Sequence, residues 1–148
     1  MIDFVIETEI LRPPAEVFAY VTDPTKLATW QTNTVSAVPE QPGPLALGTR
    51  IREVHRAPGG KKFAELVEVV EYEPDRVFGM RVVEGQPIHG HITFEPSERG
   101  TRFRFRVYGA PTGIWRLAQP ILSPLTKRTF TRFCATLKAV LENETPKT

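Results

Sequence analysis

The chain has 148 residues, of which 41% are hydrophobic and 24% are charged, and its formal net charge is +2. This length fits a single domain spanning residues 1–148, and so small a charge excess excludes the broad basic surface typical of nucleic-acid-binding proteins. The lone Cys134 cannot form an internal disulfide, and no apolar run approaches the roughly 20 residues that a membrane span requires. We therefore expect a cytoplasmic protein, and nothing in the composition indicates an oligomeric state.

The first quarter of the chain predicts one strand followed by two short helices. Residues 2–11 alternate between apolar and polar types, which is typical of a half-buried strand. Pro13 and Pro14 end this strand and open a short helix, because proline is tolerated in a first helical turn. Asp23 and Pro24 are an N-cap followed by proline, so they begin a second short helix, which ends near Trp30.

The middle of the chain predicts an antiparallel meander. Alternating segments are separated by turns rich in proline and glycine. The expected strands are 34–38, 49–56, 62–72, 77–83, 88–95 and 101–108. In the last strand Phe103, Phe105 and Val107 alternate with arginines, so one face of the sheet should be apolar and the other solvated.

The last quarter predicts one long helix. Ser123 and Pro124 are again an N-cap with proline, so we expect the helix to begin there, after a kinked lead-in through Trp115 and Leu117 that Pro120 interrupts. Further on, apolar residues recur at helical spacing. They are Phe130, Phe133, Cys134, Leu137, Val140 and Leu141. This stripe predicts that the helix covers the apolar face of the sheet.

This order of elements resembles the helix-grip fold of the SRPBCC superfamily, the START-like group that includes polyketide cyclases and dehydrases, the major birch-pollen allergen and lipid-transfer domains. The resemblance is carried by 10–18 (ILRPPAEVF), 23–24 (DP) with Trp30, 47–50 (LGTR), 69–74 (VVEYEP), 93–96 (TFEP) and 100–102 (GTR). It implies an α+β fold in which a curved antiparallel sheet of about six to seven strands wraps round the long C-terminal helix. It also implies a cavity for an apolar or amphipathic small molecule, but no particular ligand-binding residues.

Pairing residues across each predicted turn assigns the side chains to two faces. On the inner face it places Glu53 opposite Glu65, Gly90 opposite Met80 and Phe105 opposite Ile92. The outer face should be a solvated ladder of opposite charges, with binding of an anionic partner by its arginines as the alternative. His89 and His91 lie on this face, where no third ligand is evident, so no metal site is predicted. The candidate ligand-binding residues belong to the inner face, the helix region and the tryptophans: Trp30, Phe63, Val67, Met80, Val82, Gly90, Ile92, Phe105, Val107, Trp115, Leu117, Ile121 and Leu125.

Within this set, particular roles are expected for Gly90 and for the two tryptophans. Gly90 should leave space at the middle of the sheet. Trp30 and Trp115 lie near segment ends, where the cavity of such a fold opens. Core packing is the more common role of a tryptophan, and gating of a ligand is the alternative.

Glu53, His55 and Glu65 are the ionisable exceptions on the inner face. Repulsion between opposed carboxylates, together with partial burial, should raise the pKa of one of them. With His55 as partner, such a pair suits general acid–base catalysis on a bound carbonyl compound, which requires no cofactor. In the alternative, the strand ends splay and both carboxylates reach water or meet Lys127 or Arg128.

Three functional hypotheses follow. The leading one is the binding of a hydrophobic or aromatic small molecule, such as a lipid, a polyketide or a related metabolite, between the sheet and the C-terminal helix. The second is a cofactor-independent cyclase, dehydrase or isomerase that uses Glu53, Glu65 and His55. The third is a protein-interaction or regulatory module that uses the outer Arg/Glu ladder.

Overall fold

The computed structural model describes residues 1–143. Strand β1 (Ile2–Ile10) is followed by helix α1 (Pro14–Val21), a 3-10 turn (Pro24–Lys26) and helix α2 (Leu27–Trp30). The next strands are β2 (Thr34–Pro39), β3 (Arg50–Arg56), β4 (Lys62–Glu73), β5 (Val77–Glu84), β6 (Ile88–Pro96) and β7 (Thr101–Gly109). A short helix, α3 (Ile114–Leu117), then leads into the long helix α4 (Gln119–Asn143).

The strands form one seven-stranded antiparallel sheet in the order β1-β7-β6-β5-β4-β3-β2. Each hairpin of the meander places neighbouring strands side by side, and β1 returns to pair with β7. The register agrees with the sequence-based pairing, since Glu53 lies opposite Glu65 and Met80 lies opposite Gly90. The predicted helix-grip fold is confirmed.

The long helix begins earlier than its proline signals predict. It starts at Gln119, and Pro124 lies inside it rather than at its first position. Pro120 is in the first turn, where backbone N–H groups have no carbonyl partner within the helix. The N–H that proline lacks therefore costs no hydrogen bond there. Pro124 removes only the hydrogen bond to the carbonyl of Pro120. One lost bond near the start of a 25-residue helix is a small cost.

The core lies between the inner face of the sheet, α1, α2 and the C-terminal half of α4. The Phe18 ring of α1 meets Phe94 edge-on, with centroids 5.2 Å apart, and Phe78 at 6.4 Å. The buried residues of α4 are Phe133, Cys134, Leu137 and Leu141. Burial raises the pKa of the Cys134 thiol to about 12, so this thiol should be unreactive.

The outer face carries the predicted charge ladder. Glu68 accepts hydrogen bonds from Arg81 at 2.9 Å and from Arg50 at 3.3 Å. The bond from Arg81 is the main reason that the pKa of Glu68 is lowered. Arg106 pairs with Asp3 at 2.9 Å. The opposite charges across these strands therefore stabilise the sheet in contact with water.

The histidines of the outer face have protein partners. His91 Nδ1 lies 2.8 Å from Glu71 Oε1. The His89 ring stacks on the Tyr108 ring, with centroids 4.9 Å apart. Within residues 1–143, no helix is long and apolar enough to cross a membrane.

Gly100 lies where the start of β7 passes close to the end of β1. A Cβ on Gly100 would lie 2.1 Å from the carbonyl oxygen of Ile10 and 2.8 Å from the nitrogen of Arg12, so the backbone would have to move. We expect Gly100→Ala to lower the free energy of unfolding by about 2 kcal/mol, measured by urea denaturation. The control is Gly90→Ala, whose Cβ would meet side-chain atoms, the nearest 3.3 Å away on Phe105. Equal losses in the two variants would refute the backbone argument.

Candidate functional site

The inner face of the sheet is sealed at one end and open at the other. At the sealed end, Phe78 and Ile92 are at most 2% exposed. At the open end, Met80 and Val82 are only half-buried, and Phe63 is 41% exposed. The open end is the end of the sheet at which strands β3, β5 and β7 finish and strands β4 and β6 begin.

Helix α4 packs on the sheet from Phe130 to its C-terminal half. The ring centroid of Phe130 lies 5.5 Å from that of Phe105 and 6.0 Å from that of Phe4, so the helix touches the sheet at β7 and β1. The buried residues of α4 run from Phe133 to Leu141, and no residue from 119 to 132 is buried. The N-terminal half of α4 therefore does not pack tightly over the open end of the inner face. We call the region between them the cleft.

The helix side of this cleft differs from the prediction. At about 100° per residue, Phe130 lies within about 20° and Leu122 within about 60° of the buried Leu137, and both are half-buried. The predicted residues Ile121 and Leu125 lie about 160° and about 120° from Leu137, and both are exposed. Leu122 was missed because the predicted helix began at residue 123, so residue 122 was given no position around the helix axis. Extending the helical period backward from Leu137 would have found it.

The predicted residues Trp115 and Leu117 are also exposed. They lie on α3, outside the cleft. Trp30, in contrast, is fully buried in the core, where its indole nitrogen has no hydrogen-bond partner among residues 1–143. The common role of tryptophan in core packing therefore holds for Trp30, and of the two tryptophans only Trp115 is accessible. The predicted position of Trp30 at the mouth is wrong, because α2 packs its ring inward.

Four of the predicted residues of the sheet are buried: Val67, Ile92, Phe105 and Val107. Ile92 belongs to the sealed end, and the other three lie beneath the cleft. Gly90 does not leave empty space among them, because a Cβ there would lie 3.3 Å from Phe105 Cε1 and 3.6 Å from Met80 Cε. The glycine instead lets these two side chains lie over the strand. The accessible side chains of this face are nearer the open end, where Phe63 is 41% exposed and Val82 is half-buried.

Glu53 and His55 form a buried pair beside the open end. His55 Nε2 lies 2.9 Å from Glu53 Oε1, and the two side chains are 8% and 9% exposed. His55 Nδ1 lies 3.1 Å from the Thr34 hydroxyl oxygen. When Nε2–H donates to the carboxylate, Nδ1 of the neutral ring accepts from Thr34, so both ring nitrogens are satisfied. Thr34 was missed because β2 was not paired with β3, which places it opposite His55.

Glu65 lies opposite Glu53 and is half-buried. Burial raises the pKa of Glu65; His55 opposes the shift and the Glu53 carboxylate adds to it. The structure therefore agrees with the expectation that one carboxyl of the pair has a raised pKa. The alternative of two carboxylates that meet Lys127 or Arg128 does not hold, since within residues 1–143 neither carboxyl has a lysine or arginine partner.

The raised pKa of Glu65 predicts a pH dependence of stability. The folded state holds this proton more tightly than the unfolded chain, so the stabilisation is present at low pH. It is lost as the pH rises from the ordinary glutamate pKa of about 4.3 through the raised value. We expect Glu65→Gln to remove this loss and to be more stable than the parent at neutral pH, as measured by urea denaturation across this window. Glu98→Gln at an exposed position is the charge-matched control, and superimposable profiles of Glu65→Gln and the parent would refute the shift.

A second, open cleft lies at the opposite end of the molecule. Its volume is about 600 Å³, and it is bounded by α1, the loop after β2 and the turn between β4 and β5. Phe18, Ala19, Leu45 and Tyr72 are among its lining residues. It contains none of the residues predicted from the sequence, and it provides a competing location for a ligand.

The fold is shared with several solved structures. The protein TTHA0849 from Thermus thermophilus has a TM-score of 0.79 and 22% identity, over 94% of this chain and 96% of that chain. The di-domain ARO/CYC StfQ from the steffimycin biosynthetic pathway has a TM-score of 0.78 and 13% identity, over 95% of this chain and 50% of that chain. Ara h 8.0201 has a TM-score of 0.72 and 15% identity, over 95% and 98%. At these identities the similarity shows the fold alone.

Comparison with curated proteins gives no significant match. The sequence model of one family, described as polyketide cyclase / dehydrase and lipid transport, matches residues 1–142. This match spans nearly the whole chain and agrees with the sheet, the short helices and the long helix described above. The chain therefore belongs to the polyketide cyclase/dehydrase and lipid transport family.

Proposed function

We propose that this protein binds a hydrophobic small molecule, such as a lipid, a polyketide or a related metabolite, in the cleft between the open end of the sheet and the N-terminal half of α4. The observation that carries the proposal is the contrast along the inner face, where Phe78 is buried and Phe63 is accessible. A concave apolar surface with a few convergent polar groups is the usual form of a ligand site. Membership of the family supports the same class of ligand.

The polar end of the cleft favours a ligand that carries oxygen. Because burial raises the pKa of Glu65, its protonated form can donate a hydrogen bond to a carbonyl or hydroxyl group. The buried Glu53 and His55 satisfy each other and leave Glu65 as the accessible member of the cluster. The ligand class is therefore an apolar body with an oxygen atom at one end.

Titration with the uncharged probe N-phenyl-1-naphthylamine tests the proposal. We expect saturable binding with a Kd of about micromolar size, since an apolar cleft of this kind buries most of such a molecule. Native mass spectrometry of the purified protein should also show any co-purified ligand. A protein that enhances the probe fluorescence no more than an unrelated protein of similar size would contradict the proposal.

A second candidate function is proton transfer on a bound ketone. The favouring observation is the chain from Thr34 through His55 to Glu53, with the Glu65 carboxyl opposite. A base of raised pKa held beside such a pair is suited to removing a proton next to a carbonyl group.

Deuterium exchange of the apolar ketone 2-tetralone, followed by NMR, tests this activity. The parent protein should accelerate the exchange, and Glu65→Gln should lose the acceleration while keeping its affinity for the probe. The exposed Glu98→Gln is the control. Equal exchange rates in the parent and Glu65→Gln would reject the enzyme and leave the binding protein.

A further inference from the structure

An exposed apolar surface lies outside the cleft, on the segment that joins β7 to α4. We call it the α3–α4 surface. Its members are Ile114, Trp115, Leu117, Ile121 and Leu125, each between 48% and 86% exposed. Ile121 and Leu125 are on the side of α4 that faces away from the sheet. A monomer rarely leaves so many large apolar side chains together in water unless that surface binds something.

The same segment is basic. Between residues 109 and 132 the sequence has no acidic residue and contains Arg116, Lys127, Arg128 and Arg132. Within residues 1–143 none of these side chains is paired with a carboxylate. At about 100° per residue, Arg128 and Arg132 continue the exposed row of Ile121 and Leu125 along α4. The surface therefore combines apolar side chains with unpaired positive charge.

We infer that the α3–α4 surface binds the surface of an anionic lipid membrane. Exposed leucine and isoleucine side chains can enter the boundary between headgroups and acyl chains, where the Trp115 ring is also favoured. The basic side chains attract anionic headgroups. The proposal does not depend on which ligand the cleft holds.

Charge also decides against a second copy of this chain as the occupant. A twofold dimer through the α3–α4 surface would bring the same patch of both copies together. The basic side chains would then face one another without an intervening carboxylate, and such like-charge contacts are unfavourable. An anionic membrane surface offers acyl chains to the apolar side chains of the α3–α4 surface and negative headgroups to its basic side chains.

The surface is fixed beside the mouth of the cleft. The backbone N–H of Thr112 donates to the side-chain oxygen of Gln86, in the turn between β5 and β6, at 2.9 Å. This turn belongs to the open end of the sheet. A protein bound through the α3–α4 surface would therefore hold its cleft next to the bilayer, where an apolar molecule can enter or leave.

Co-sedimentation with vesicles tests the inference. We expect binding to vesicles of phosphatidylcholine mixed with phosphatidylglycerol, weaker binding to phosphatidylcholine alone, and a loss of binding at high salt, because the attraction between basic residues and headgroups is screened. The double variant Leu117→Glu with Ile121→Glu should bind the mixed vesicles at least about tenfold more weakly.

The matched control is the double variant Val38→Glu with Leu47→Glu. Both positions are exposed and apolar, and they lie outside the α3–α4 surface. The two double variants change the net charge equally, so only the position of the change differs. Equal weakening in both, or a dimer of the parent that Leu117→Glu with Ile121→Glu dissociates, would overturn the inference.

Tryptophan emission provides a second measurement on the unmodified chain. Trp115 is exposed and Trp30 is buried, so insertion at the membrane should shift the emission of Trp115 to shorter wavelength. The shift should be absent in Trp115→Phe, which retains Trp30 as an internal reference. Sedimentation of the parent with mixed vesicles without any emission shift would place the contact elsewhere and contradict the inference.

Discussion

Val82→Trp is expected to weaken binding of N-phenyl-1-naphthylamine by about 100-fold, which corresponds to about 2.7 kcal/mol. Val82 is half-buried on the inner face at the open end, opposite the buried Val67. An indole there should occupy the volume that the probe needs. Because the position is not fully enclosed, the larger ring should fit without the strain that overpacking causes in a closed core.

Val5→Trp is the control for this variant. Val5 is also a partly exposed valine of the sheet, but its neighbours Phe4 and Ile6 point inward, so it lies on the outer face. We expect Val5→Trp to bind the probe as the parent does. If Val82→Trp folds and retains the parent affinity, the ligand does not occupy the cleft beneath α4.

Glu53→Leu is expected to lower the free energy of unfolding by about 3 kcal/mol, because it leaves the buried Nε2 of His55 without its partner. The distance of 2.9 Å between these groups and the burial of both side chains carry the prediction. Urea denaturation at neutral pH measures the loss.

The double variant Glu53→Leu with His55→Phe is the matched control. Replacing both members of a buried polar pair by apolar side chains costs much less than removing one of them. We expect most of the lost stability to return, with only the Thr34 hydroxyl losing a partner. A single variant as stable as the parent would show that water reaches the pair.

The pairing of the sheet was predictable from the sequence because alternation and turn length together fix the register. Glu53 opposite Glu65 and Phe105 opposite Ile92 follow from such counting, and both are observed. The pKa direction of the carboxyl pair follows from the same counting combined with burial.

The first residue of α4 was not predictable in the same way. Pro120 and Pro124 are both acceptable in a first helical turn, and the sequence alone does not choose between them. Only a helix that begins before residue 121 extends the period of Leu137 to this turn, and it then places Leu122 rather than Ile121 toward the sheet. The space above Gly90 depends on where the Phe105 ring turns, which is a matter of tertiary packing rather than of strand parity.

The location of the ligand can be tested most directly by methyl NMR during titration with N-phenyl-1-naphthylamine. Binding in the cleft predicts the largest shifts at the methyl groups of Met80, Val82 and Ile88, the half-buried first residue of β6 on the same face as Gly90. Little change is expected at Leu45 and Ala19, which line the opposite cleft. Largest shifts at Leu45 and Ala19, with Met80, Val82 and Ile88 unchanged, would contradict the proposed site.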